Sequence, residues 1–214
     1  MDQTIITGMV LKATPINEND RRIVLLTKNM GKISAFARNS RKSHSQLLAA
    51  TNPFVYGDFI CTSGRDSYTM IAANVNNYFS ELRTDIVGAY YGFYFLEVAD
   101  YFVLENADSK GMLLLLYQTL KALISPHIDN KLIKVIFELK TLVIEGFIND
   151  EIEGDLLPST KYALEFIMKT GVKSLYTFKV NEDVYKEMKV YVDKKFHKFA
   201  EKEFTSLNIL KTLI

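Results

Sequence analysis

Near residue 80 the hydrophobic period of this chain changes from about two to about 3.6. Few architectures accept both halves. Alternation needs a sheet with one covered face, and the helical repeat needs a bundle that buries its stripes. Before the break, residues 4 to 75 read as five short strands. TIITGMVLKA is the first, RRIVLLT the second and KISAFAR the third; PFVYGDFICT and SYTMIAANV follow. Turn formers separate them: TPINEND, then KNMG with Gly31 free to take positive φ, then SGRD as a hairpin turn. Five strands at this spacing predict a small barrel.

After the break five helices are predicted, over 84–104, 108–124, 129–145, 159–170 and 182–203. Thr84 is a candidate N-cap for the first and Asp129 for the third, which Gly146 ends. The first is apolar around most of its circumference, so it belongs in the middle of the bundle. In the last, Val184, Met188, Tyr191, Val192, Lys195 and Phe199 share a face. The fold class expected is α+β in two domains, 1–79 and 80–214.

Charge follows the same division. Residues 1 to 80 hold nine Lys/Arg against five Asp/Glu, a local +4; the rest hold 17 against 20, a local −3. A basic N-terminal half favours a polyanionic partner, although +4 is modest for one. The most apolar run, 85 to 104, is interrupted by Asp85, Glu97 and Asp100, each costly at membrane depth. A buried bundle helix is therefore expected, with no membrane association. MDQTIITGMVLKATP has no basic segment ahead of a sustained apolar run, so no signal peptide is expected. The single cysteine, Cys61, excludes an internal disulfide framework and a thiolate-rich zinc site, and fits a reducing cytosol.

Little here serves catalysis. His44, His127 and His197 sit in no HxxxH or HExxH spacing, and no phosphate-cradling glycine loop is present. Cys61, inside a predicted strand, reads as a small core residue. The acidic run NDEIEGD lacks the ligand order of a calcium loop and reads as solvated. No catalytic residue, metal or cofactor is expected, and the chain is not expected to be an enzyme.

Binding remains. In GKISAFARNSRKSHSQ, residues 31 to 46, a strand runs into Arg38, Arg41, Lys42 and His44 without a balancing carboxylate. Alternation puts Lys32, Ser34, Phe36 and Arg38 on one face and Ile33, Ala35 and Ala37 on the other. Phe36 is either a stacking platform for a base or a core residue. The core reading is preferred, because large apolar side chains in a small barrel mostly point inward. Arg21 and Arg22 follow Glu18 and Asp20, which are positioned to neutralise at least one of them. Arg38, Arg41 and Lys42 are candidates for a mobile rim that contacts phosphate.

The block GMVLKATPINENDRRIVLLTKNMGKISAFARNSRK, residues 8 to 42, resembles the start of the RecO family of DNA repair proteins. G-x-V-L-K, the E-N-D ahead of R-R, and L-x-T-x-x-x-G-K-I-S-A-x-A-R-x-x-R carry the likeness. It continues through PFVYGDF, SYTMIAANV, FELKTLVIEGF and LLPSTKYALEFI, so it covers nearly the whole chain. The resemblance implies an N-terminal five-stranded OB-fold and a helical C-terminal domain. It implies a mediator that binds single- and double-stranded DNA and anneals complementary strands. The implied partners are RecR, the acidic C-terminal tail of the single-stranded-DNA-binding protein SSB and, in some systems, RecF. With them RecA is loaded onto coated single strands. A bacterial, nucleoid-associated location in the cytoplasm goes with that role.

Inside the matching block, Arg21, Arg22, Lys32, Arg38, Arg41 and Lys42 become the expected DNA-contacting set. Lys131, Lys134 and Lys140 on the third predicted helix are candidates for the SSB tail. Many RecO proteins carry a four-cysteine zinc module after the segment that here reads FELKTLVIEGF. This chain has an acidic loop near 148–156 in its place, so no zinc is expected and the loop should repel phosphate. Two other classes stay open: an adaptor whose barrel mainly docks a protein, and an RNA-binding OB-fold protein.

Overall fold

A computed structural model describes residues 3–64, 67–149 and 151–213. Five strands, β1 (Gln3–Pro15), β2 (Arg21–Thr27), β3 (Lys32–Ala37), β4 (Tyr56–Ser63) and β5 (Tyr68–Asn77), close a barrel in the order β1-β2-β3-β5-β4. All neighbours are antiparallel except β3 and β5, which run parallel over Ala35–Ala37 against Tyr68–Met70. This is the OB topology expected from the resemblance. Within the SGRD turn, Arg65 and Asp66 lie outside the described residues; on either side of them the Gly64 amide donates to the Ser67 carbonyl at 2.8 Å.

The barrel is filled by Ile6, Val10, Ile23, Leu25, Val55, Phe59, Cys61 and Met70, with Ile33, Ala35 and Ala37 from β3. Cys61 is thus a core residue, and burial pushes its thiol up to about 11. A short helix that the sequence did not announce, α1 (Leu47–Ala50), joins β3 to β4 and sends Leu47 into this core.

Six further helices follow a 3-10 turn at Ser80–Arg83: α2 (Ile86–Phe102), α3 (Lys110–Leu123), α4 (Asn130–Ile144), α5 (Pro158–Lys169), α6 (Glu182–Phe199) and α7 (Thr205–Leu213). The expected cap at Thr84 is corrected: Asp85 accepts from the Gly88 amide at 2.9 Å and so takes the N-cap role on α2. Asp129 does cap α4, accepting from the Lys131 amide at 2.7 Å, and Gly146 follows its end at φ 76°. The last predicted helix, 182–203, ends at Phe199, and α7 beyond it was not expected. Compactness divides the chain differently from the change of period. One unit takes in the strands and Leu96–Leu113; the other takes Asp85–Phe95 and the chain from Leu114 on. No helix among the described residues is long and apolar enough to cross a membrane.

In the second unit the Phe95 and Phe137 rings meet tilted, 4.5 Å between centroids, and Tyr94 meets Phe204 edge-on at 5.4 Å. Beside them Glu138 is only 2% exposed. It pairs with Lys134 at 2.7 Å and accepts from the Tyr94 hydroxyl. Burial pushes its carboxyl above the ordinary glutamate range of about 4.5, and Lys134 only partly offsets that. Between the ordinary and the raised value the folded protein holds a proton that the unfolded chain has lost. This contribution therefore stabilises the fold as pH falls through the raised value, and is complete below the ordinary one. Thermal melts from neutral to mildly acid pH should show the wild type gaining on Glu138→Gln as pH falls. Parallel curves would contradict this assignment.

Candidate nucleic-acid interface

β2 and β3 lie side by side with Arg22 opposite Phe36 and Val24 opposite Ser34. The structure reverses the preferred reading of β3. Ile33, Ala35 and Ala37 are buried, while Phe36 is 38% exposed on the outer face with Lys32, Ser34 and Arg38. Bulk misled here: Phe59 and the β2 aliphatics already fill the lumen, so β3 passes it with small side chains.

Phe36 lies in an open groove of about 600 Å³ on this face. Arg22, Lys32, Ser34 and Tyr68 line it with Glu105 and Asn106. The 104–106 segment meets the start of β3 through a single antiparallel bridge between Glu105 and Gly31. The Lys32 amide donates to Leu104 at 3.3 Å, and the Asn106 amide donates to Met30 at 3.0 Å. The β4–β5 connection, through Ser63, Gly64 and Ser67, forms another edge. In OB-folds the β2–β3 face beside this connection is where oligonucleotides and oligosaccharides lie.

The six expected cations take different positions. Arg22 is exposed and donates to Ser34 Oγ at 3.0 Å, within the groove. Lys32 reaches Asp100 on α2, with Nζ 3.1 Å from Oδ1 and a second bond to the main-chain oxygen. Arg21 turns away to brace the α1 end: its Nη1 donates to Leu48 O at 3.1 Å, Thr51 Oγ1 at 2.7 Å and Asn52 Oδ1 at 3.2 Å. Burial, with the charge of Arg41, pulls its guanidinium below the usual arginine value. Neutral oxygens satisfy it, so the expected pairing with Glu18 or Asp20 is corrected.

The rim at 38–42 is tied down rather than loose. Asp20 accepts from the Asn39 amide at 2.7 Å, the Arg41 amide donates to Asn19 at 2.9 Å, and Arg41 Nη1 donates to Asn17 O at 2.6 Å. The bonds from Asn39 and Asn17, with the charges of Arg38 and Lys42, hold the Asp20 carboxyl below its usual range. Among the described residues the side chains of Arg38 and Lys42 make no hydrogen bond or ion pair, and both are exposed. Arg22, Phe36, Arg38 and Lys42 are thus the members presented to solvent, and Phe36 is the one that the preferred core reading kept out of the expected set.

The three helix lysines do not converge. Lys131 edges a hollow of about 400 Å³ formed by 126–132 and 179–185. Lys134 is held by Glu138 and, at 3.6 Å, by Asp193. Lys140 is buried, and its three donors go to Ile167 O, Met168 O and Thr170 O at 3.1, 2.8 and 2.8 Å. It caps the end of α5 and has no donor left for a peptide. In the acidic loop, Glu153 pairs with Lys195 at 2.9 Å. Among the described residues no three His, Cys, Asp or Glu side chains gather where a metal could sit.

A closed OB-type barrel with a groove on its β2–β3 face, followed by helices, defines the class to which this chain belongs. Comparison with known proteins narrows it. Family profiles described as Recombination protein O N terminal and Recombination protein O C terminal match residues 1–79 and 83–151. A DNA repair protein RecO of Acetivibrio thermocellus is 25% identical over 97% of this chain and 96% of its own length. Its namesake in Clostridium kluyveri is 24% identical over 97% and 93%. That of Alkaliphilus metalliredigens is 34% identical over 65% of this chain and 56% of its own. The chain belongs to the RecO family of DNA repair proteins.

Proposed function

We propose that this chain binds DNA strands across the β2–β3 face, stacking a base on Phe36 and holding phosphates with Arg22 and the Arg38–Lys42 rim. The observation that carries this reading is the exposed Phe36 between cations in an open groove. Aromatic stacking tolerates any base, and arginine and lysine hold the backbone without reading sequence. Binding of this kind suits a mediator that handles single and double strands, anneals complements and, with RecR, helps RecA onto SSB-coated DNA. RecF and the SSB tail belong to the same proposal. For the tail, Lys131 is the one exposed lysine of the three considered.

Arg38→Ala/Arg41→Ala/Lys42→Ala is expected to weaken oligonucleotide binding between about tenfold and a hundredfold. The slope of log K against log salt should flatten by about 0.7 for each single-strand phosphate no longer neutralised. Phe36→Ala is expected to cost at least about 1 kcal/mol on single strands, and much less on duplex, whose bases are already stacked. Anisotropy titrations over a range of salt check both. Equal affinity and slope in all variants would refute the interface. Lys32, Arg21 and Arg41 are engaged internally, which favours one rival, an adaptor that docks proteins. Negligible DNA binding at moderate salt beside tight RecR binding would select it. Annealing of SSB-coated strands, with and without the SSB tail, tests the wider role.

A further inference from the structure

The groove is electrically lopsided. Arg22, lining the groove, is hydrogen-bonded to a neutral hydroxyl, and Arg38 and Lys42, on the rim beyond the lining, meet no carboxylate within ion-pair distance among the described residues, Asp20 acting on them from farther off. At the other end, Asp100 comes down from α2 onto Lys32, and Glu105 lines the wall beside it. Asp100 lies 68 positions along the chain from Lys32 and supplies two acceptors to one ammonium, its main-chain oxygen and Oδ1. The pair stays open to solvent, with side-chain exposures of 26% and 37%. A half-buried pair that solvent still reaches contributes on the order of 1 kcal/mol, so another anion can displace it. A backbone phosphate carries the same single charge and the same kind of oxygen acceptor as the carboxylate.

We propose that Asp100 acts as an internal stand-in for a phosphate: it occupies Lys32 in the free protein and so limits how many phosphates the groove engages. A strand anchors at the Arg22 and Arg38 end and gains the Lys32 contact only by displacing Asp100. Asp100 is thereby a positioning residue that sets affinity and salt sensitivity without touching the nucleic acid. This rests on the reading of the groove as a strand-binding site.

Asp100→Asn removes the competing charge and keeps the main-chain acceptor. With an oligothymidylate probe, its log K against log salt slope should steepen by about 0.7, and its affinity at about 0.1 M salt should rise about fivefold. Lys32→Ala should cost more in the Asp100→Asn background than in the wild type. That coupling separates release of Lys32 from the mere loss of a negative charge. Asp100→Ala, read the same way and matched by thermal melt, serves if the asparagine variant folds poorly. Salt-dependent binding by the wild type with an unchanged slope in both Asp100 variants overturns the inference, as does an equal cost of Lys32→Ala in the two backgrounds. Wild-type protein that shows no salt-dependent binding overturns the strand-binding reading itself.

Discussion

Gly31→Ala should destabilise the protein by at least about 3 kcal/mol, because two costs coincide at that position. Gly31 has φ +63°, where a side chain adds roughly 1–2 kcal/mol of strain. A Cβ there would also stand 1.9 Å from the Leu104 carbonyl oxygen and 3.0 Å from the Ala107 nitrogen, both main-chain atoms without a rotamer to change. The 104–107 segment has to move, and with it the groove wall carrying Glu105 and Asn106. The turn cannot absorb the shift. The Gly31 carbonyl accepts from the Thr27 amide at 2.9 Å and the Thr27 hydroxyl at 2.8 Å, locking the β2–β3 connection. The melting temperature should fall by roughly 6–12 °C in a chain of this size. An unchanged melt would mean that the segment slides aside freely.

Lys140→Met is expected to cost roughly 3 kcal/mol, although methionine keeps most of the buried stem. The loss is electrostatic. α5 is a short helix held at both ends by charges from its neighbours. Glu187 of α6 accepts from the Leu157 amide at 3.0 Å and the Thr160 hydroxyl at 2.6 Å, at its start. Lys140 of α4 satisfies three carbonyls at its finish. Each charge has the sign that suits the helix dipole at its end. Removing the ammonium leaves buried carbonyls at Ile167 and Met168 without a donor. Urea denaturation reads the effect as a lower midpoint, and a midpoint equal to that of the wild type would remove Lys140 from this role. Lys131→Ala, on the exposed face of α4, should leave the midpoint near that of the wild type.

The contrast between these lysines shows what the sequence could disclose. Alternation in KISAFAR separated two faces correctly, and the family likeness placed the strand in an OB barrel. Which face turned inward depended on how full the lumen already was, a property of Phe59 and β2 rather than of β3. Helix spacing put Lys131, Lys134 and Lys140 on one element. Only the packing of α5 against α4 distinguishes a solvated lysine from a capping one. Asp100 is equally remote from Lys32 in sequence. The missed α7 has a local cause: FAEKEFTSL contains no glycine or proline to mark where α6 stops. Caps that act within three residues, such as Asp129, were legible, whereas partners tens of residues apart were not.

The Ser109 hydroxyl donates to the Thr27 carbonyl at 2.6 Å across 82 positions, and Leu96–Leu113 is compact with the strands. On the ribosome, therefore, the β2–β3 turn cannot acquire its partners at 104–109 when β5 emerges. It must wait while the polypeptide of α2 and the start of α3 is synthesised and released. At bacterial elongation rates of about 5–20 residues per second, that is an interval of seconds. During it Gly31 has no Glu105 to bridge, and Lys32 has no Asp100 to hold.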